Sequence, residues 1–170
     1  MPATLDAMAD TTPLGALPSD ERQRATQAVR ALARLSRVVE RASTELNLAH
    51  YRVLSAVAEG DRRASRLAAR LALGKPAVSS AVDALCKRGL LLRTEAEDDQ
   101  RAVMLTLTAS GQDLLDQVEA EMFTHIAELC ALTPDGAQVL ESLVWLGHAL
   151  DESYPQRLEQ ARAARRKQAR

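Results

Sequence analysis

Apolar residues recur every three or four positions along most of this 170-residue chain, and in one stretch the period shortens toward two. That contrast predicts helices interrupted by a pair of strands. Over residues 19–45, Val29, Leu32, Leu35, Val39 and Ala42 form an apolar stripe with Arg24, Arg30, Arg34, Arg37 and Arg41 between them. Ser19 is a candidate N-cap, and Asp20 and Glu21 follow in the first turn, where the helix dipole favours acids. A second helix is expected over 49–59 with Val53, Leu54 and Val57 inward, ended by Gly60-Asp61. A third, over 64–72, turns Leu67, Ala68 and Leu71 inward, and Leu73-Gly74 makes a tight turn. Pro76 suits the first turn of a fourth helix, where its missing N–H costs nothing. That helix runs to about residue 88 with Val78, Val82 and Leu85 inward, and Gly89 closes it.

The period then changes. Leu90-Leu91-Leu92-Arg93-Thr94 and Val103-Met104-Leu105-Thr106-Leu107 read as short strands around a polar tip at 95–102, which makes a hairpin. Thr108 can cap a helix over 109–132, and Thr133-Pro134 opens the last long one, over 134–153. Residues 1–17, with Pro2, Pro13 and Gly15, read as a mobile leader, and residues 156–170 as a frayed helix or disordered tail.

Composition agrees with the helices. There are 31 alanines, and the aromatic share is 2% (Tyr51, Phe123, Trp145 and Tyr154). At 46% apolar content the chain can bury a core, and no apolar run approaches the ~18 residues of a membrane span. Residues 1–17 lack a basic start followed by an apolar stretch, so no signal peptide is expected. Cys86 and Cys130 make neither a disulfide scaffold nor a zinc site. His50, His125 and His148 are far apart in sequence, so no metal site or other cofactor is expected. The expectation is a reduced, cytoplasmic protein.

The net charge of −1 hides an asymmetry. Residues 62–93 hold eight basic side chains against Asp83 alone, whereas residues 94–132 hold nine acids against Arg101. A basic segment in a neutral chain is an electrostatic footprint for a polyanion. It coincides with the helix, turn, helix and hairpin of residues 64–107. One helix fits a DNA major groove, braced by another. On the helix that starts at Pro76, Lys75, Ala77, Ser79, Ser80, Asp83 and Lys87 lie away from the apolar stripe. Small residues near its N-terminal end allow close approach to base edges, and Lys75 and Lys87 suit phosphates. An Arg at a hairpin tip can reach the adjacent minor groove. No paired carboxylates, nucleophile–histidine arrangement or Gly-rich phosphate loop appears, so an enzyme is not expected.

Residues 48–111 resemble the MarR family of bacterial winged-helix regulators. The resemblance lies in Leu48-Ala49-His50-Tyr51-Arg52-Val53-Leu54, Leu67-Ala68-Ala69-Arg70-Leu71, Val78-Ser79-Ser80-Ala81-Val82-Asp83-Ala84-Leu85 and Gly89-Leu90-Leu91. Its most specific stretches are Asp98-Asp99-Gln100-Arg101-Ala102-Val103 and Leu105-Thr106-Leu107-Thr108-Ala109-Ser110-Gly111.

The resemblance implies a mainly α fold with a small β-hairpin wing, a winged helix-turn-helix joined to a helical dimerisation domain. It divides the chain into a leader (1–18), an N-terminal dimerisation helix (19–47), the DNA-binding domain (48–108), C-terminal dimerisation helices (109–154) and a basic tail (155–170). It implies a homodimeric repressor of transcription that binds a pseudo-palindromic operator in double-stranded DNA and is released by a small-molecule effector. Lys75, Pro76, Ala77, Ser79, Ser80, Asp83 and Lys87 would face DNA. Arg101 would be the wing arginine, with Asp83 where the family often places an acid that pairs with it. His50 and Tyr51 are candidate effector contacts. A winged-helix interaction module without specific DNA binding is the alternative. Two departures stand out: Ser80 occupies a position where many relatives carry a large polar residue, and neither cysteine falls in the first helix.

Overall fold

The computed structural model describes the backbone of residues 13–61, 63–71, 73–96 and 99–168, and their side chains except at 14, 64–65, 95–96, 99–103 and 154–168. Most of the leader therefore lies outside the described residues. The chain divides into two units, Met1–Arg41 and Ala42–Arg170.

The first unit holds a 3-10 turn at Leu14–Ala16 and helix α1, Ser19–Arg41. Ser19 is already helical. The turn is held instead by Arg22, which donates to the carbonyls of Gly15 (3.2 Å) and Leu17 (2.9 Å). α1 stops four residues short of the expected end, and none of its residues is buried. Val29 and Leu32, the first two residues of the expected apolar stripe, are exposed.

The second unit contains α2 (Leu48–Ala58), α3 (Ala64–Arg70), α4 (Lys75–Lys87), β1 (Leu91–Ala96), β2 (Asp99–Leu107), α5 (Ala109–Ala131) and α6 (Gly136–Gln168). Asn47 caps α2, its Oδ1 accepting the His50 N–H at 2.9 Å. Gly60 and Gly89 have φ of +101° and +71°, which lets the chain turn sharply after α2 and α4. The core gathers the inner faces of these helices. Val53, Leu54, Leu67, Val78, Val82 and Leu85 are buried, joined by Leu91 and Leu105 from the strands and by Leu115 and Val118 from α5. Each fully buried leucine contributes about 1.5–3 kcal/mol of hydrophobic stabilisation.

The strands pair antiparallel, Leu91 opposite Leu107 and Arg93 opposite Leu105, with an irregularity after Glu95. They extend further into the acidic segment than the hydrophobic pattern indicates, since backbone pairing continues where the side chains no longer alternate. An isolated antiparallel bridge between Arg63 and Met104 adds a third chain segment to the wing's edge.

The junction between wing and α5 explains the Leu-Thr-x-x-Gly pattern. Thr108 caps α5 by accepting the Gly111 N–H at 2.9 Å, and its hydroxyl donates to the Gly89 carbonyl at 2.7 Å. The Leu90 carbonyl passes so close to Gly111 that a Cβ there would sit 2.1 Å from its oxygen. α6 begins two residues later than expected, because Asp135 Oδ1 accepts the Gln138 N–H at 3.0 Å. Thr133, the expected start, spends its hydroxyl on the Cys130 carbonyl at 2.7 Å. α6 also runs well past residue 153, through Pro155 and into a segment rich in the helix formers Ala, Arg and Gln.

Candidate nucleic-acid interface

α3 and α4 form the helix-turn-helix, with four residues, 71–74, between them. Gly74 precedes α4 in extended conformation, and no side chain caps the helix start. α4 buries Val78, Ala81, Val82 and Leu85. Lys75, Pro76, Ala77, Ser79, Ser80, Asp83 and Lys87 are all exposed. Helical periodicity thus separates a core-facing apolar stripe from an outward face of small and polar side chains. Two of the residues on that face are cations and one is an anion.

That anion is neutralised. Asp83 Oδ1 is ion-paired with Arg93 Nη2 from β1, both side chains about half exposed (51% and 47%). The hydrogen bond that Arg93 donates to Asp83 raises the Arg93 pKa. The family pattern pointed to Arg101 as the partner; the described partner is Arg93, and the side chain of Arg101 lies outside the described residues. Arg93 belongs to this face through its pairing with Asp83, which the motif by itself does not indicate. Its signal was available, since residues two apart on a strand share a face. Leu91 is buried, and Arg93 follows it by two positions on a strand that packs against α4.

The two candidate effector contacts sit at the start of α2. Tyr51 Oη donates to Glu119 Oε1 of α5 at 3.4 Å. Burial pushes the Tyr51 hydroxyl pKa up, and the Glu119 carboxylate adds to the effect. Burial likewise holds the Glu119 carboxyl above its ordinary range. His50 is shifted the other way, its pKa lowered by burial and then by the Arg88 guanidinium. Arg88 is itself anchored, donating to the Glu45 carbonyl at 3.1 Å. His50 and Tyr51 are therefore adjacent to charged neighbours, but the Tyr51 hydroxyl already has a partner.

A second charged cluster joins residues that are distant in sequence. Arg70, at the end of α3, contacts three carboxylates: Glu59, Asp61 (3.1 Å) and Asp151 of α6 (3.1 Å). Asp151 lies 81 residues from Arg70 along the chain, so no local pattern could have linked them. Cys86 and Cys130 are free thiols, the latter buried. Among the described residues no group of acids, histidines and cysteines could hold a metal ion, and no helix is long and apolar enough to cross a membrane.

Residues 44–102 match the MarR family model. No curated protein sequence matches the chain. Its fold is similar to that of several solved regulators. The transcriptional regulator BldR from Sulfolobus solfataricus is 22% identical, with a TM-score of 0.62 over 78% of this chain and 99% of its own. Wild-type apo MarR from E. coli is 22% identical, with a TM-score of 0.62 over 75% of this chain and 94% of its own. CouR from Rhodococcus jostii RHA1, bound to p-coumaroyl-CoA, is 23% identical, with a TM-score of 0.59 over 74% of this chain and 86% of its own.

Proposed function

We infer, from a chain whose residues 44–102 match the MarR family and whose fold is that of MarR-family transcriptional regulators, that this protein reads double-stranded DNA with α4 and represses transcription. The carrying observation is the exposed face of α4. Seven outward residues, most of them small, stand opposite a fully buried stripe. A helix so faced can enter a major groove with its backbone close to the base edges. Its uncapped first turn offers backbone N–H groups to a phosphate, and Lys75 and Lys87 bracket the helix with positive charge. Pairing with Arg93 lets Asp83 lie on this face without repelling the DNA backbone.

The operator is a pseudo-palindrome read by a homodimer. Large apolar side chains left exposed on the second unit support this: Phe123, Leu129 and Leu132 on and just after α5, and Val144, Trp145, Leu146 and Leu150 on α6. α1 separately exposes Val29 and Leu32. Leucine and valine make up most of this surface, joined by Phe123 and Trp145, two of the chain's four aromatic residues. The domain divisions drawn from the sequence, with dimerisation by residues 19–47 and 109–154 around the 48–108 reading domain, follow from the same argument. A small-molecule effector, by analogy with the CoA ester held by CouR, shifts the population of dimers toward a spacing of the two α4 helices that no longer matches one DNA turn of ~34 Å. His50 and Tyr51 are the candidate contacts for it.

Selection of duplexes from a random pool by the full-length protein, followed by mobility shifts at graded salt, tests the reading. The expected result is a two-fold-symmetric preferred sequence whose affinity falls steeply with salt. Arg101→Ala should cost about 1–3 kcal/mol of specific binding. A sequence-blind, salt-flat interaction would instead favour a winged-helix protein-interaction module.

A further inference from the structure

The reading of DNA by α4 requires that the helix-turn-helix be held at a set angle to the helices that join two protomers. The structure offers a specific tie for this. Arg70 is the last residue of α3, the helix that braces α4. Its guanidinium is only 20% exposed and lies among Glu59 at the end of α2, Asp61 in the following turn and Asp151 on α6. Asp61, 19% exposed, contributes a bond at 3.1 Å to Nη1, while Asp151, 61% exposed, takes Nη2 at 3.1 Å.

The two kinds of partner differ in what they hold. Glu59 and Asp61 are neighbours of α3 in sequence and keep Arg70 in place within the reading domain. Asp151 lies far along the chain, on a helix whose apolar side chains Val144, Trp145, Leu146 and Leu150 are exposed immediately before it. Arg70 presents a rigid planar fork, so contacts to separate carboxylates constrain direction as well as distance. With two acids fixing the guanidinium, the third contact fixes the helix that carries it.

We propose that Arg70 is a positioning residue for DNA reading: through Asp151 it locks the orientation of the α3–α4 pair against α6, and so the placement of α4 in a groove. The inference rests on the DNA-reading function proposed above. Asp151 is mostly exposed, so the pair contributes little to global stability. Its effect falls on the distribution of orientations, which limits how far a modest ion pair can bias the population. Contacts to phosphate that depend on charge alone do not require that orientation, whereas base-edge contacts do. Loss of the tie therefore separates specific from non-specific binding.

The test compares parent, Asp151→Asn, Asp151→Glu and, as a control that removes a neighbouring charge, Glu152→Gln. Each is measured on the duplex that the full-length parent recovers from a random pool and on an unrelated duplex of the same length, at one salt concentration, with a thermal melt alongside. The expected result is an Asp151→Asn affinity about fivefold weaker for the recovered duplex. Its affinity for the unrelated duplex and its melting temperature match the parent, Asp151→Glu restores most of the loss, and Glu152→Gln shows none. An unchanged ratio of specific to non-specific affinity in Asp151→Asn overturns the positioning role while leaving the DNA-reading function intact. Equal losses on both duplexes with a lowered melting temperature overturn it in favour of a purely structural pair. Failure of the parent to recover any preferred duplex overturns the DNA-reading function, and the positioning role with it.

Discussion

Asp83, in the middle of the exposed face of α4, is ion-paired with Arg93 on the strand that packs against that helix. In the DNA-reading function proposed above, the pair joins the recognition helix to the wing. It also sets the charge of the interface, because an unpaired carboxylate there would repel phosphate. Replacing Arg93 by Ala should therefore leave the Asp83 carboxylate unpaired and weaken DNA binding by about 1 kcal/mol. Asp83→Asn should act in the opposite direction, freeing a cation and strengthening non-specific binding. Both side chains are about half exposed, so each change should alter folding stability by less than about 1 kcal/mol. Salt-titrated mobility shifts and thermal melts of the two variants check both halves of the expectation.

Gly111 is the position where a single methyl group should do most damage. Alanine there would place its Cβ 2.1 Å from the Leu90 carbonyl oxygen, 3.0 Å from the carbonyl carbon and 3.1 Å from Leu107 Cδ2. Backbone atoms cannot move aside as a side chain tip can. The same Leu90 carbonyl accepts the Thr108 N–H at 3.2 Å, so its displacement also loosens the junction of wing and α5. Gly111→Ala should destabilise the protein by about 1–3 kcal/mol or more, despite the higher helix propensity of alanine. Urea unfolding of the variant against the parent provides the measurement.

His50 should make stability fall on mild acidification. Burial and the Arg88 guanidinium lower its pKa in the folded state below the unfolded value of 6.5. The folded state therefore binds this proton less readily than the unfolded chain. Stability is unaffected while His50 is neutral in both states, then declines as pH falls through 6.5 toward the lowered folded value. His50→Gln removes the titration. The melting temperature of the variant relative to the parent should rise as pH is taken from 7.5 to 5. A difference that stays constant across that range would show that His50 is not the titrating group.

The exposed apolar residues of α6 should report on self-association. Leu146→Asp introduces a charge where a dimer surface needs an apolar contact, on a side chain already exposed in the single chain. The variant should keep its helical circular dichroism and elute as a monomer in light-scattering chromatography, where the parent elutes as a dimer. Its affinity for a two-half-site duplex should drop more than its affinity for a single half-site.

Within the reading domain, the hydrophobic pattern was sufficient to place the elements. Spacing alone places Val53, Leu54 and Val57, then Leu67, Ala68 and Leu71, then Val78, Val82 and Leu85 on inner faces, and all are buried except Leu71, which caps the end of α3 and is only half-buried. Gly60 and Gly89 fall where the pattern ends a helix, and both have positive φ. The outward residues of α4 follow directly, since a helix that buries one stripe must expose the opposite one. Helix ends were less legible. Asp135 rather than Thr133 starts α6, because either could cap in principle and the choice depends on the Cys130 carbonyl that engages the Thr133 hydroxyl.

Local preferences are legible in the order of the amino acids: which segments are helical, which side faces a core, where cations concentrate and where the wing motif lies. These depend on neighbours within one or two turns, so periodicity and capping chemistry suffice to read them. Which distant charges meet depends on how the elements pack. The tertiary structure assigned Arg93 to Asp83, gave Arg70 its link to Asp151 across 81 positions, and showed that Gly111 is required by the passing Leu90 carbonyl. Such pairings are set by how elements pack, and packing brings together residues whose separation along the chain carries no information about their distance in space.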